Sequence, residues 1–219
     1  PAPIALPDGS LLTQVGVNGL DQPLACTLFD WIDGQAFTWD QINPEQVRQA
    51  GSYLAQLHNF SMQFIPPPHF ARPRLDWDGL FGENSPYNPG EGAAIFTPEQ
   101  RDIFAQVEAR VGQVMDRLGQ KPAAFGLIHA DFIVKNFLFD ENNLCAIDFD
   151  DCGWGYYLYD LAPLLTQMKG EPNYAAIADA YWEGYTGVRP LSDQDRGYLD
   201  VFIAARHLAS CRWIAGNLD

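Results

Sequence analysis

Positive charge is scarce in this chain. Its 219 residues hold 13 Lys plus Arg against 28 Asp plus Glu, a formal charge of −15. The charge that neutralises phosphates and drives nucleic-acid binding is therefore missing, and DNA or RNA is disfavoured as a partner. Such a field would welcome a cationic substrate, although a solvated acidic surface is the plainer reading. Long apolar runs are missing too: none approaches the ~18 consecutive residues of a membrane span. No charged-then-apolar leader precedes the first strand, so a cytoplasmic protein without membrane contact is expected. Cysteine is limited to Cys26, Cys145, Cys152 and Cys211, scattered and without a C-x-x-C pair. That spacing argues for reduced, mostly buried thiols rather than a disulfide framework. The chain opens on Pro1 rather than Met, so it is expected to have been processed, excised or cut from something longer.

What is present points to a folded protein. Hydrophobic residues make up 47%, with 14 Phe, 9 Tyr and 6 Trp, too apolar a mixture for a disordered chain and long enough for one large or two small domains. After a Pro-rich start, Ser10 to Val17 and Leu24 to Phe29 flank the turn-forming Asn18-Gly19 and predict a β-hairpin. Two strands alone leave a face and both edges uncovered, so something should complete that sheet. Helices dominate from Asn43-Pro44-Glu45-Gln46 onward, where a capping residue is followed by proline at the first helical position and Gln three after the cap. Thr97-Pro98-Glu99-Gln100 repeats that grammar before a stripe of Ile103, Phe104, Val107, Val111, Val114, Met115 and Leu118. Between them, Ile65 to Gly92 reads as a loop anchored by Trp77, Phe81 and Tyr87. Further helices are predicted over Leu158 to Met168, Tyr174 to Tyr185 and, after the Ser192-Asp193 cap, Gln194 to Ala215. The tryptophans read mostly as core or loop anchors, with one or two free to line a cleft.

Chemistry concentrates in one segment. Phe137 to Phe139 and Leu144 to Phe149 are strand-like around an Asn-rich turn, which predicts a second hairpin. A turn centred on Asn142 would set Asn136 opposite Asp148, with side chains about 5 Å apart. An amide oxygen beside a carboxylate suits Mg²⁺, which prefers hard oxygens and keeps water and phosphate ligands. His129, Asp131 and Asn136 have the H-x-D-x-x-x-x-N spacing of a phosphotransferase loop, in which one carboxylate accepts the acceptor hydroxyl's proton while separate oxygens hold the metal. His129 itself reads as a core histidine bracing the loop. Asp160 reads as a cap or an acceptor for the loop's amides, and Asp150 and Asp151 as turn residues that could also touch metal or substrate. His58, His69 and His207 lack metal-ligand spacing and receive no role.

These residues resemble the aminoglycoside phosphotransferase and choline kinase family, relatives of the protein kinases. The resemblance runs from about Ser10 to the end and is sharpest over His129 to Ala162. Ile147-Asp148-Phe149-Asp150 matches the family's metal-binding context, and Tyr159-Asp160-Leu161-Ala162 a downstream signature. Ala130 stands where the family usually has glycine. The resemblance implies an α+β, protein-kinase-like fold, ATP and Mg²⁺ as cofactors, Asp131 as catalytic base, and Asn136 and Asp148 as metal ligands. It further implies that Leu28-Phe29-Asp30-Trp31-Ile32-Asp33-Gly34 is a hinge between lobes. There Phe29, Asp30 and Ile32 would meet adenine, the last two through their backbones, and Leu138 and Ile147 would sandwich the base.

A glycine-rich strand-turn-strand over the phosphates and a lysine paired with a helix glutamate are not found, since the lysines, Lys121, Lys135 and Lys169, all follow the hinge. Residues 1–30 are therefore expected to be the last strands of a small lobe and the start of the hinge, and 31–219 the helical catalytic lobe, with the upstream part lost or removed. The expected activity is ATP-dependent phosphorylation of a hydroxyl on a small molecule (an aminoglycoside, choline or homoserine-like compound) or on a protein Ser/Thr. A non-catalytic kinase-like binding module is the alternative, and a metal hydrolase a weaker one, for want of suitable ligand spacings. The acceptor, possibly cationic, and the oligomeric state are left open.

Overall fold

The computed structural model describes residues 2–140 and 143–218. Its elements run β1 (Thr13–Val15), β2 (Leu24–Cys26), α1 (Pro44–Ser61), β3 (Arg74–Leu75), α2 (Trp77–Phe81), α3 (Pro98–Leu118), β4 (Phe125–Ile128), β5 (Phe137–Asp140), β6 (Asn143–Ala146), β7 (Gly153–Tyr156), α4 (Tyr157–Asp160), α5 (Ala162–Met168), α6 (Tyr174–Val188) and α7 (Asp193–Gly216). Short 3₁₀ helices cover Gly90–Ile95 and Val134–Asn136. The mixture of long helices with small separate sheets is α+β.

Local chemistry sets the helix starts. Asn43 and Thr97 each accept from the N–H three residues on, while Gln46 and Gln100 reach back to the cap N–H, and proline stands at the first helical position. Ser192 and Asp195 form the same reciprocal cap on α7. Each pair satisfies two otherwise unpartnered donors at a helix start. The α3 stripe is shorter than its periodicity suggests. Val111, Val114 and Met115 are buried and Phe104, Val107 and Leu118 pack half-buried against the core, but Ile103 is 56% exposed and lines a shallow groove facing α7.

The helical body is centred on α1 and α6. A Cβ on Gly51 would stand 2.3 Å from the Tyr181 carbonyl oxygen, and one on Gly184 would stand 2.0 Å from that of Arg48. The two glycines therefore let the helix backbones approach closely, and Ser52 Oγ donates across the seam to the Gly184 carbonyl at 3.0 Å. This contact brings His58 of α1 beside Tyr185 of α6. Phe202, Ala205 and Ala209 of α7 and Leu161, Leu164 and Leu165 complete the buried apolar core.

Three sheets are present among the described residues: β1-β2, β3-β7-β4 and β5-β6. The stretch expected to be a loop over Ile65 to Gly92 holds both β3 and α2. Arg74 and Leu75 pair in parallel with β7, and Leu80 and Phe81 are buried, so apolar burial wins over the high Pro and Gly content. The β5-β6 hairpin differs from expectation by one residue. Phe137 pairs with Ala146 and Asp140 with Asn143, so Ile147, whose N–H donates to the Asn136 carbonyl at 3.0 Å, lies opposite Asn136 in place of Asp148. The predicted turn centre, Asn142, lies outside the described residues.

No described residue before Ile42 is buried, so the β1-β2 ribbon stands outside the core. None of the six tryptophans is fully buried, and Trp31 is 88% exposed, but Trp154 and Trp182 pack half-buried against the core and Trp77 anchors its segment by donating to the Glu108 carbonyl at 3.1 Å. Among the cysteines only Cys152 is buried, and all four are free thiols. Cys26 on β2 and Cys211 on α7 are exposed and Cys145 is half-buried, which corrects the expectation of mostly buried thiols. No described helix is long and apolar enough to cross a membrane.

Candidate active site

β4 runs directly into the loop that carries Asp131, and Asp160 at the end of α4 pins that loop. The His129 N–H donates to Asp160 Oδ2 at 2.8 Å and the Ala130 N–H to Oδ1 at 2.7 Å. Asp160 is completely buried. His58 Nε2 lies 2.9 Å from Asp160 Oδ2, and its Nδ1 2.7 Å from the Tyr185 hydroxyl. Burial works to raise the Asp160 pKa, but hydrogen bonds and charge from His58 and His129 outweigh it and hold the carboxyl below its ordinary value. For His58 burial wins over Asp160 and pushes the imidazole pKa down. An ionised Asp160 beside a neutral His58 permits one proton arrangement. His58 Nε2–H donates to Asp160, Nδ1 accepts from the Tyr185 hydroxyl, and Arg189 Nη1 donates to that oxygen at 2.9 Å.

This bracing explains the backbone at Ala130. Its φ of +70° lies in the left-handed region, which costs an L-residue roughly 1–2 kcal/mol, and the bond to Asp160 holds it there. Asp148 is also left-handed, with φ +63°. His129 is buried, and its Nε2–H donates to the Ile147 carbonyl at 3.1 Å. The ring therefore ties the loop to the residue before Asp148, as the bracing role anticipated.

Asp131 is held by two neighbours. Arg206 Nη2 donates to its Oδ1 at 2.7 Å. Asn136 Nδ2 donates to its backbone carbonyl at 2.9 Å and to Oδ2 at 3.2 Å. Asn136 is buried, and with its amide nitrogen spent, its Oδ1 accepts no hydrogen bond among the described residues. Asp148 is exposed and makes no hydrogen bond or ion pair among them. An amide oxygen and a carboxylate, both unspent, fit a hard divalent cation that takes its remaining ligands from water and phosphate. No cluster of three or more His, Cys, Asp or Glu suited to a metal occurs among the described residues.

The predicted hinge lies along the outer edge of β5, where Gln35 and Phe139 exchange backbone hydrogen bonds at 2.8 and 3.0 Å. Gly34 packs against Leu138, since a Cβ there would meet the Leu138 Cβ at 2.9 Å. The Asp30 N–H donates to the Ala2 carbonyl at 3.2 Å, while the Asp30 carbonyl and both Ile32 backbone groups have no partner among the described residues. Phe29 is exposed, and Ile32, Leu138 and Ile147 are half-buried.

Asp131 opens onto a cleft of about 710 Å³ whose walls include Leu75, Tyr87, Asp150, Asp151, Arg206 and Trp213. Sequence reasoning missed Arg206, His58 and Tyr185. A signal existed for the first two: each charged or polar side chain falls on a buried stripe, Arg206 after Phe202 and Ile203, His58 after Leu54 and Ala55. A polar group there needs a buried partner.

Comparison with known proteins fits this arrangement. The homoserine kinase of Neisseria meningitidis serogroup B is 28% identical over 182 residues, covering 80% of this chain and 54% of that protein. The amicoumacin kinase of Bacillus subtilis is 26% identical over 147 residues, covering 66% and 40%. The chain spans about half the length of the curated relatives it matches. A solved microcompartment-associated aminopropanol kinase superposes with a TM-score of 0.86 at 24% identity, covering 100% of this chain and 68% of that one. An amicoumacin kinase in complex with AMP-PNP and Ca²⁺ does so with a TM-score of 0.78 at 18% identity, covering 99% and 65%. These likenesses show the protein-kinase-like fold. With residues 4–197 also matching the sequence model of the phosphotransferase enzyme family, the braced loop, the capped helices and the fold agree, and the chain belongs to that family.

Proposed function

We propose that this chain carries the catalytic lobe of an ATP-dependent phosphotransferase that moves the γ-phosphoryl group to a hydroxyl of a small molecule. In this reading residues 31–219 are the catalytic lobe and residues 1–30 the end of a smaller one. Asp131 accepts the proton of the acceptor hydroxyl as its oxygen attacks the γ-phosphorus and ADP leaves. Asn136 and Asp148 hold Mg²⁺, which when bound neutralises charge on the nucleotide phosphates. Phe29, Asp30 and Ile32 meet the adenine, with the Asp30 carbonyl and Ile32 backbone as its hydrogen-bonding groups, and Leu138 and Ile147 flank it. The cytoplasm, where ATP is found and thiols stay reduced, is the compartment this reading assigns.

One observation carries the proposal: Asp131 is fixed from both sides, by Asn136 and Arg206, while facing a cleft large enough for a small acceptor. Positioning is what phosphoryl transfer chiefly requires of a protein. The test is Asp131→Asn in the protein as its gene encodes it. Turnover should fall at least ~10³-fold with the unfolding midpoint little changed, and unchanged turnover rejects the assignment. The competing binding module predicts no Mg²⁺-dependent thermal stabilisation by millimolar ATP, whereas the enzyme predicts a clear one.

A further inference from the structure

The α7 helix carries two arginines with separate duties, about 9 Å apart along its axis. Arg206 holds Asp131. Arg212 makes no hydrogen bond or ion pair with Asp131, Asn136, Asp148 or Arg206, and its side chain is only 14% exposed. Each of its nitrogens serves a different partner. Nη1 donates to Glu108 Oε1 of α3 at 2.6 Å, Nη2 to the Phe81 carbonyl at the end of α2 at 3.1 Å, and Nε to the Tyr87 carbonyl at 3.3 Å. Tyr87 is pinned at its other backbone group too, where its N–H donates to Ser85 Oγ at 3.0 Å. Ser85 is buried, and its hydroxyl donates in turn to the Gly79 carbonyl at 2.8 Å. The half-buried Tyr87 side chain lines the same cleft as Asp131. Its hydroxyl has no hydrogen-bond partner among the described residues. Burial pushes the phenol pKa well up, so the group keeps its proton and can both donate and accept.

We propose that Arg212 is a positioning residue that fixes the acceptor-side wall of the cleft, and that the Tyr87 phenol on this wall contacts the acceptor and sets its affinity. This rests on the phosphotransferase reading above. Because one helix carries both arginines, the spacing between Asp131 and the Tyr87 wall is set before any substrate arrives. A wall ordered in advance loses little freedom when an acceptor binds, which raises affinity without any stronger contact. The ring covers the acceptor's carbon skeleton, and the hydroxyl pairs with a polar group other than the one attacked. The guanidinium matters for its shape as much as its charge. Its nitrogens form a rigid planar fork that reaches three partners at once, whereas an ammonium is a point charge on a flexible stem. Lysine at position 212 keeps the ion pair with Glu108 and releases Tyr87.

The test measures ADP release by the protein as its gene encodes it, with the fastest acceptor from a panel of amino alcohols, hydroxy-amino acids and aminoglycosides. Arg212→Lys should raise the acceptor KM at least ~10-fold, with kcat within about threefold and the KM for ATP unchanged. Tyr87→Phe, which keeps the ring, should raise it roughly 2–10-fold, the worth of one hydrogen bond. In a Tyr87→Ala background Arg212→Lys should add less than about twofold, since the contact it positions is gone. Glu108→Ala should reproduce part of the Arg212→Lys effect, while Glu108→Gln, which still offers an oxygen to Nη1, should keep KM near the wild-type value. A lowered unfolding midpoint with unchanged KM, a loss confined to kcat, or full additivity with Tyr87→Ala overturns the inference and leaves the phosphotransferase reading intact. A second measurement needs no acceptor: amide exchange at Tyr87 and Asn88 should quicken at least ~10-fold in Arg212→Lys while that of α1 stays the same. Unchanged exchange overturns the inference as well. No ADP release across the panel, even with exchange responding as expected, rejects the phosphotransferase reading, and the role in acceptor affinity falls with it.

Discussion

The carboxylate of Asp160 and the imidazole of His58 lie 2.9 Å apart, with neither side chain more than 1% exposed. Between them they join α1 to the loop that carries Asp131. Asp160 is thus the buried keystone of three donors: His58 Nε2, the His129 N–H and the Ala130 N–H. Asp160→Ala strands all three. Removing one partner of a buried charged network typically costs about 3–5 kcal/mol. Denaturant unfolding should show a loss of that order, and turnover should fall together with stability because Asp131 loses its platform.

Acid should weaken the fold in two stages. His58 has a lowered pKa in the folded state, so its contribution is complete above the unfolded histidine value of about 6.5 and is lost as pH falls from there towards the folded value. Asp160 is also lowered. Its contribution is complete above the unfolded carboxyl value of about 3.9 and disappears as pH falls through its folded value. A thermal midpoint that declines from about pH 6.5 downward is expected. His58→Gln should flatten the upper part of that decline, and an unchanged profile would contradict the neutral buried imidazole.

Two helical glycines should respond in opposite directions. Gly184→Ala drives a Cβ into the Arg48 carbonyl across the α1–α6 seam and should destabilise by about 1–3 kcal/mol or more. Gly197, exposed in α7, has nothing within 4 Å of a Cβ. Gly197→Ala should stabilise by about 0.5–1 kcal/mol, the ordinary helix preference. Urea titration of both variants reads the contrast directly.

The metal-binding role proposed for Asp148 can be tested apart from folding. Its side chain holds nothing else in place, and its left-handed φ of +63° suits asparagine. Asp148→Asn should leave the unfolding midpoint where it is and abolish the Mg²⁺-dependent stabilisation by ATP. Retained stabilisation would remove Asp148 from the metal site.

Much of this protein was legible in the order of its residues. Caps such as Asn43 with Gln46 act over three positions, helical stripes over three or four, and the spacing from His129 to Asn136 within one loop. These are neighbours along the chain, so their physics is present before the chain folds. The register of the β5-β6 hairpin was one residue off because two adjacent asparagines, Asn142 and Asn143, offer alternative turn centres in the sequence, and it is the pairing of Asp140 with Asn143 that fixes the register.

Packing decided the rest. Arg206 reaches Asp131 across 75 positions and His58 reaches Asp160 across 102. No local pattern pairs such residues. They meet because glycines let α1 and α6 approach and because α7 lays its buried stripe beneath the loop. A polar side chain on an apolar stripe shows in sequence only that it needs a partner, and which partner it finds depends on how apolar surfaces come together in three dimensions.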